Sequence, residues 1–392
     1  MPKGLVLAGG GAKGSYQVGV WRALCETGWV PDIITGTSVG CLNGVMFVLD
    51  DYEIARDMWA TIGDGNVMVL PEGRDLPQLS AFVQDLVRGG GLDVSPLEAI
   101  VERVLDEKAL REAKIRFGLV TVERRGLGGL HARELTIDEI PEGKVKDYLM
   151  ASAACFPAIR PRQIDGKTFI DGGYRDNMPF GLAKRMGATE LLCVNVDGVG
   201  LTLPNRTGLP TTTVESWWDL GELFHFDTAV ARRNMELGYN DTLRAFHRVR
   251  GTAYAVRPET AEEQWKPLRR RYDALCRRLR RSLPPLDLPE KAARTLFRGS
   301  DRPLIPLEAA AHTAGVDPAP IYTVDELAQA FVQAWPLDKY RRFEKLFAPG
   351  ADAAEANAAA AAETAAAVAL AGVLPAEYQA SLLFTALTEE PT

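Results

Sequence analysis

Ile33-Ile34-Thr35-Gly36-Thr37-Ser38-Val39-Gly40-Cys41-Leu42-Asn43-Gly44 is the stretch on which the reading of this chain turns. The β-branched run Ile33, Ile34, Thr35 predicts a buried strand, and Val39, Leu42, Val45, Met46 and Leu49 predict a helix directly behind it. Between them Gly36-Thr37-Ser38-Val39-Gly40 has the G-x-S-x-G form of a nucleophile elbow. A strand-to-helix turn that sharp presses backbones together, so the positions two before and two after the serine have no room for a Cβ. The hydroxyl of Ser38 then stands at the positive end of a helix, where developing negative charge is favoured. The same five residues also fit a tight glycine turn with a helix-capping serine. What surrounds them decides.

Upstream, Leu5-Val6-Leu7-Ala8 predicts a first buried strand, and Gly9-Gly10-Gly11-Ala12-Lys13-Gly14 follows it. An amphipathic helix then runs through Tyr16, Val20 and Leu24 to Gly28, which completes one right-handed βαβ unit with the Ile33 strand. The glycine loop has three candidate uses. A dinucleotide fingerprint needs an acidic residue at the end of the second strand. That position holds Gly36-Thr37-Ser38, and Asp32 lies at the strand's beginning. A phosphate P-loop needs glycine-lysine in that order, and Lys13 precedes Gly14. An oxyanion hole needs several bare backbone N–H groups at a helix start, which consecutive glycines supply. Only the third use explains a serine elbow on the next strand.

Downstream the pattern predicts helices over Tyr52–Ile62, Leu76–Val87 and Pro96–Leu105, with Gly89-Gly90-Gly91 as a joint. Lys114–Val122 alternates like a strand with Arg133–Ile137 as its hairpin partner, and Val145–Cys155 reads as a small-residue helix. Asp165-Gly166 marks a hairpin turn, and the short strand Phe169-Ile170 ends in Asp171-Gly172-Gly173. A helix over Pro179–Met186 and an apolar strand over Glu190–Val196 follow.

These pieces, Gly9–Gly14, Gly36–Gly40 and Asp171-Gly172-Gly173, resemble in content and order the patatin-like phospholipases. Asn43 and Gly44 behind the elbow, Phe156-Pro157 before the aspartate, and Asn177 and Pro179 after it are similar too. The likeness spans roughly residues 4 to 197. It implies a three-layer α/β/α sandwich and a serine–aspartate dyad hydrolysing lipid or phospholipid acyl esters without metal or cofactor. Carried over by motif, Ser38 would be the nucleophile and Asp171 the general base. The backbone around Gly9, Gly10, Gly11 and Ala12 would form the oxyanion hole, with Gly14, Gly36, Gly40, Gly172 and Gly173 as motif glycines. A Ser-Asp-His triad is the near rival, since His225, His247 and His312 all follow Asp171. Phe224-His225-Phe226 and Phe246-His247-Arg248 read as helix positions instead of glycine-rich strand ends. Lys13, Arg160 and Arg162 read as solvated or as attracting a headgroup.

The chain has 392 residues, 46% hydrophobic and 25% charged, with net charge −7. An acidic balance argues against nucleic acid as the main partner. The five cysteines have no pairing or C-x-x-C spacing, which fits buried thiols in a reducing compartment. With no signal-peptide core and no transmembrane-length run, the expectation is a soluble, cytoplasmic protein. The composition divides the chain into a core over 1–197, a Gly-, Pro- and Thr-rich linker over 198–214, and an all-α extension over 215–392. Its expected helices are Val214–Phe246, Glu262–Leu283, Glu290–Phe297, Pro306–Ala314, Val324–Ala334 and Asp338–Phe347, with an Ala-rich helix over 351–372. Arg269, Arg270, Arg271, Arg277, Arg278, Arg280 and Arg281 lie opposite Leu268, Tyr272, Leu275, Leu279 and Leu283. Such a helix either meets an anionic membrane transiently or packs on a core with a solvated arginine face. Three other readings stay open: a nucleotide-dependent enzyme or binder using Gly9–Gly14, a lipase gated by its helical extension as a signalling or effector protein, and a catalytically dead interaction scaffold, which the complete set of motif residues argues against. Oligomeric state is left open.

Overall fold

The computed structural model describes residues 1–69, 91–126, 129–282, 302–347, 367–371 and 373–388. They fall into two compact units, Met1–Ala245 and Phe246–Thr392. The expected helices Leu76–Val87 and Glu290–Phe297, and most of the Ala-rich stretch 351–372, lie outside the described residues.

The first unit is built on an eight-stranded mixed sheet. Its strands are β1 (Lys3–Leu7), β2 (Ile33–Thr37), β3 (Arg116–Arg125), β4 (Gly129–Thr136), β5 (Arg162–Ile164), β6 (Lys167–Asp171), β7 (Glu190–Asn195) and β8 (Thr211–Glu215). The order is β5-β6-β3-β2-β1-β7-β8, with β4 on the other edge of β3. β1 pairs in parallel with both β2 and β7, and β7 with β8. Strands buried along nearly their whole length, such as β2 and the β3 segment Phe117–Glu123, need cover on both faces. That cover can be read from two neighbouring residues, whose side chains point to opposite faces of a strand. On one face α2 (Val39–Val48) lies against Phe117: a Cβ on its Gly44 would sit 3.1 Å from the Phe117 ring. On the other face a Cβ on Gly118 would meet Met186 and Leu182, at the end of the helix Phe180–Arg185. The sheet is the middle of a sandwich, as the resemblance implies.

The expected linker 198–214 ends inside the sheet, because Thr211–Glu215 is strand β8. Only Val214 of β8 is buried, so this edge strand carries no apolar alternation to betray it. The expected helix Val214–Phe246 is therefore β8, an irregular segment, and a helix over Thr228–Ala245. That helix crosses α1 (Ser15–Thr27) at backbone contact: a Cβ on Gly19 would lie 1.7 Å from the Met235 carbonyl, and one on Gly238 2.0 Å from that of Tyr16. Tyr16 Oη donates to the buried Asp241 carboxylate at 2.7 Å beside them. The first unit thus reaches Ala245, well past the expected boundary at 197.

The second unit is helical, with one departure from an all-α extension. β9 (Ala255–Val256) and β10 (Ile321–Tyr322) form a two-residue parallel pair. Nearby, buried Glu308 accepts the N–H groups of Thr252, Ala253 and Tyr254 at 2.6–3.0 Å. The arginine-rich helix runs over Trp265–Ser282, after a separate helix Pro258–Glu263. Its Tyr272 and Leu279 are buried within the unit, while Arg270, Arg271 and Arg277 are exposed. The apolar face is used for packing. The stretch 338–347 is two short helices, Leu337–Arg341 and Glu344–Phe347. Among the described residues no helix is long and apolar enough to cross a membrane.

Candidate active site

β2 and β6 meet end to end on one edge of β3. β2 runs parallel to β3 and its last residue, Thr37, pairs with Val120. β6 runs the other way and its last residue, Asp171, pairs with Thr121. Two residues 133 positions apart in sequence are thereby brought together by register alone: Ser38 just past one strand end, Asp171 at the other. The Ser38 hydroxyl lies near enough to the Asp171 carboxylate to favour its charged form.

The elbow has the strain its motif calls for. Ser38 sits at φ 54°, ψ −128°, a conformation costly for a residue with a side chain. Glycines flank it because nothing else fits. A Cβ on Gly36 would lie 2.4 Å from the Gly40 carbonyl, and one on Gly40 2.4 Å from that of Leu7. The turn is pinned by a residue the sequence did not single out. Ser152, fully buried, accepts the Ser38 N–H at 2.9 Å and donates to the Val120 carbonyl at 2.6 Å. A serine in a small-residue helix has no motif; only the tertiary contact reveals it.

Asp171 is 5% exposed and accepts the Gly173 N–H at 2.7 Å. Burial pushes its pKa up to about 6, against the opposing pull of the Gly173 amide and the Ser38 hydroxyl. Asp176, buried in the same turn, is pushed up to about 7, again chiefly by burial. Cys41, behind the elbow, and Cys155, beside the dyad, are pushed by burial to about 12 and about 11. Both remain protonated thiols at neutral pH.

The glycine loop after β1 narrows the expected oxyanion set. The Gly9 N–H is taken by the Asn177 carbonyl and the Ala12 N–H by the Leu223 carbonyl. The N–H groups of Gly10 and Gly11 donate to no acceptor among the described residues. Gly11 has φ +54°, and a Cβ there would fall 2.1 Å from the Leu223 carbonyl. Gly9 abuts the elbow, for a Cβ on it would be 3.0 Å from that of Ser38. Asn177 also donates to the Gly9 carbonyl at 3.2 Å, fastening the glycine loop to the segment after Asp171. From the other side Gln17 holds the Ala8 carbonyl at 2.7 Å and is itself held by Asn43, to which Trp59 donates. Gly14 packs on Val39 and Trp59, and Gly172 on the Val120 carbonyl.

Gly10, Gly11, Ser38 and Asp171 line one cleft of about 1040 Å³, open solvent at its mouth included. Its other walls are apolar: Val39, Leu42 and Met46 along α2, then Trp59, Val101, Leu149, Phe224 and Phe226. No histidine lines it. His225 is in the segment before the helix Thr228–Ala245 and faces the Asp64 carboxylate at 3.2 Å. His247, at φ 57°, follows that helix and belongs with His312 to the second unit. Helical placement holds for His312 alone, because Asp227 accepts the Val230 N–H and starts the helix beyond His225. Lys13 donates to the Asp197 carbonyl at 2.9 Å, Arg160 to that of Gly91, and Arg162 is paired with Glu98 and Asp147.

A mixed-sheet sandwich with a strained serine elbow at a strand end and a buried aspartate against it defines a serine-elbow α/β protein. Residues 5–184 match the family model described as patatin-like phospholipase, and this stretch is a patatin-like phospholipase domain. "Patatin-like phospholipase domain-containing protein 7" of Rattus norvegicus is 27% identical over 222 residues, 55% of this chain and 15% of that protein. "Lysophospholipase NTE1" of Mycosarcoma maydis is 28% identical over 231 residues, 56% of this chain and 11% of that protein. A solved structure, VipD from Legionella pneumophila, aligns with 16% identity and a TM-score of 0.39 over 100% of this chain and 92% of its own. The chain spans only a small fraction, 11% to 15%, of the two sequence relatives named.

Proposed function

We propose that the first unit is a lipid acyl hydrolase in which Ser38 attacks the ester carbonyl and Asp171 is the general base. The observation that carries this is the strained Ser38, set beside a buried carboxylate in an apolar cleft. Ser38 Oγ bonds to the carbonyl carbon as its proton passes to Asp171. The oxyanion is met by the N–H groups of Gly10 and Gly11, each worth about 2.7–4 kcal/mol of barrier by analogy with such donors elsewhere. The tetrahedral species then expels the alcohol oxygen, which takes the proton from Asp171. Water repeats the sequence on the acyl-serine and releases the fatty acid. An aspartate at the ordinary value of about 3.9 is a poor base for this work. One raised to about 6 by burial is better matched to neutral pH. The long, mostly apolar walls suit an acyl chain.

Labelling with an alkyl fluorophosphonate tests the reading. Wild type is expected to be labelled, and Ser38→Ala to be unlabelled and inactive on lysophospholipid and phospholipid esters. Equal labelling of the two would overturn it. So would loss as deep as that of Ser38→Ala on replacing His225, which would restore a triad.

A further inference from the structure

The cleft reaches the surface at Val199, which lines it and is nonetheless 77% exposed. Val199 opens an alternation along the loop after β7: Leu201 is 47% exposed and Leu203 44%. Tyr174, three residues past Asp171, is 39% exposed. Isolated exposed aliphatic side chains are ordinary, but several large ones on one short loop at the mouth of an apolar cleft form a patch that calls for a partner.

The loop is anchored to the site. Leu201 donates its N–H to the Gly173 carbonyl at 2.7 Å and accepts that of Asn177 at 2.9 Å. Gly198 lies against the glycine loop so closely that a Cβ would be 2.0 Å from the Gly9 carbonyl. The apolar side chains are therefore displayed in a fixed relation to the dyad. Arg175 and Arg206 are exposed beside them, with Asp197 as the exposed acid. Apolar side chains flanked by cations are the composition that adsorbs to the headgroup region of a lipid surface.

We propose that Val199, Leu201, Leu203 and Tyr174 form a docking surface for a phospholipid–water interface, seating the cleft mouth on the lipid. An acyl chain then passes from the lipid layer into the cleft without crossing water. This rests on the lipid acyl hydrolase reading above. It assigns membrane contact to the rim of the site, independently of the arginine-rich helix.

The test uses the full chain and two variants, the double substitution L201E/L203E and the single L203W. Three readouts are sedimentation with phosphatidylcholine vesicles, hydrolysis of those vesicles, and hydrolysis of monomeric p-nitrophenyl butyrate. L201E/L203E is expected to keep turnover of the monomeric ester and lose about tenfold or more in vesicle binding and hydrolysis. L203W is expected to bind vesicles more tightly than wild type while keeping wild-type turnover of the monomeric ester, a combination that misfolding cannot imitate. Vesicle binding equal to wild type in L201E/L203E, with monomeric turnover intact, overturns the proposal. So does a fall in monomeric turnover as deep as the fall on vesicles, which would give the loop a role in the site's architecture instead. Wild type that sediments with vesicles yet hydrolyses neither substrate sinks the hydrolase reading and leaves the docking surface standing.

Discussion

At the scale of single residues, Asp171 is asked to be both buried and charged, and the two demands pull its stability and its activity apart. Its folded pKa of about 6 lies above the unfolded value of about 3.9, so the folded state holds a proton that the unfolded chain releases. Its contribution to stability is complete below about pH 4 and is lost as pH rises through about 6. Activity has the opposite slope, since only the carboxylate can accept the serine proton. We expect kcat/KM to rise through an apparent pKa near 6 and level off above it. Asp171→Asn is expected to be inactive and, at pH 8, more stable than wild type by on the order of 1–3 kcal/mol. That advantage shrinks toward pH 4, which melts across the range would read. Ser152 gives a second prediction at this scale. Ser152→Ala removes the partner of the part-buried Ser38 N–H and of the buried Val120 carbonyl, at about 1–3 kcal/mol. Since the Ser38 amide orients the nucleophile, kcat should fall while KM changes little.

At the scale of elements, two opposed expectations meet where α1 crosses the helix Thr228–Ala245. Helix propensity favours Gly238→Ala by about 1 kcal/mol. Packing opposes it, since the new methyl would lie 2.0 Å from the Tyr16 carbonyl and backbone cannot step aside cheaply. Overpacking of this kind costs about 1–3 kcal/mol or more. We expect net destabilisation in a denaturant melt, and a rise in stability would show that the crossing is looser than drawn. The same contact explains what was and was not legible in the sequence. β1, β2 and the ends of β2 and β6 announce themselves locally, because a buried β-branched run followed by glycine and a functional side chain is a short-range pattern. The sequence offers Gly9, Gly10, Gly11 and Ala12 alike, and that the Gly9 and Ala12 N–H groups are already taken shows only once Asn177 and Leu223 are in place. β8 is a largely exposed threonine strand joined to its neighbour by the backbone ladder and one Asn195–Glu215 side-chain bond, and ladder bonds leave no trace in residue type. Mid-helix glycines at 19 and 238 were the available signal that α1 and a distant helix belong to one body.

At the scale of the molecule, everything the proposed chemistry needs lies in Met1–Ala245. The dyad, the glycine loop, the Ser152 pin and the cleft walls as far as Phe226 all fall within it. A chain ending at residue 197 would lose β8 and the Thr228–Ala245 helix, leaving β7 as a bare edge and α1 without the partner its glycines are shaped for. It would also lose Leu223, whose carbonyl fixes the end of the glycine loop. A chain ending at Ala245 keeps all three. We therefore expect residues 1–197 to be insoluble or unfolded. Residues 1–245 should fold cooperatively, bind fluorophosphonate at Ser38, and turn over a monomeric ester within about threefold of the full chain, a difference smaller than one ordinary hydrogen bond. Circular dichroism melts and labelling of the two truncations would decide it. Should the longer fragment fold with full helix content yet lose labelling, the helical second unit would be a required activator. The gated, effector-like reading would then replace that of a self-sufficient hydrolase.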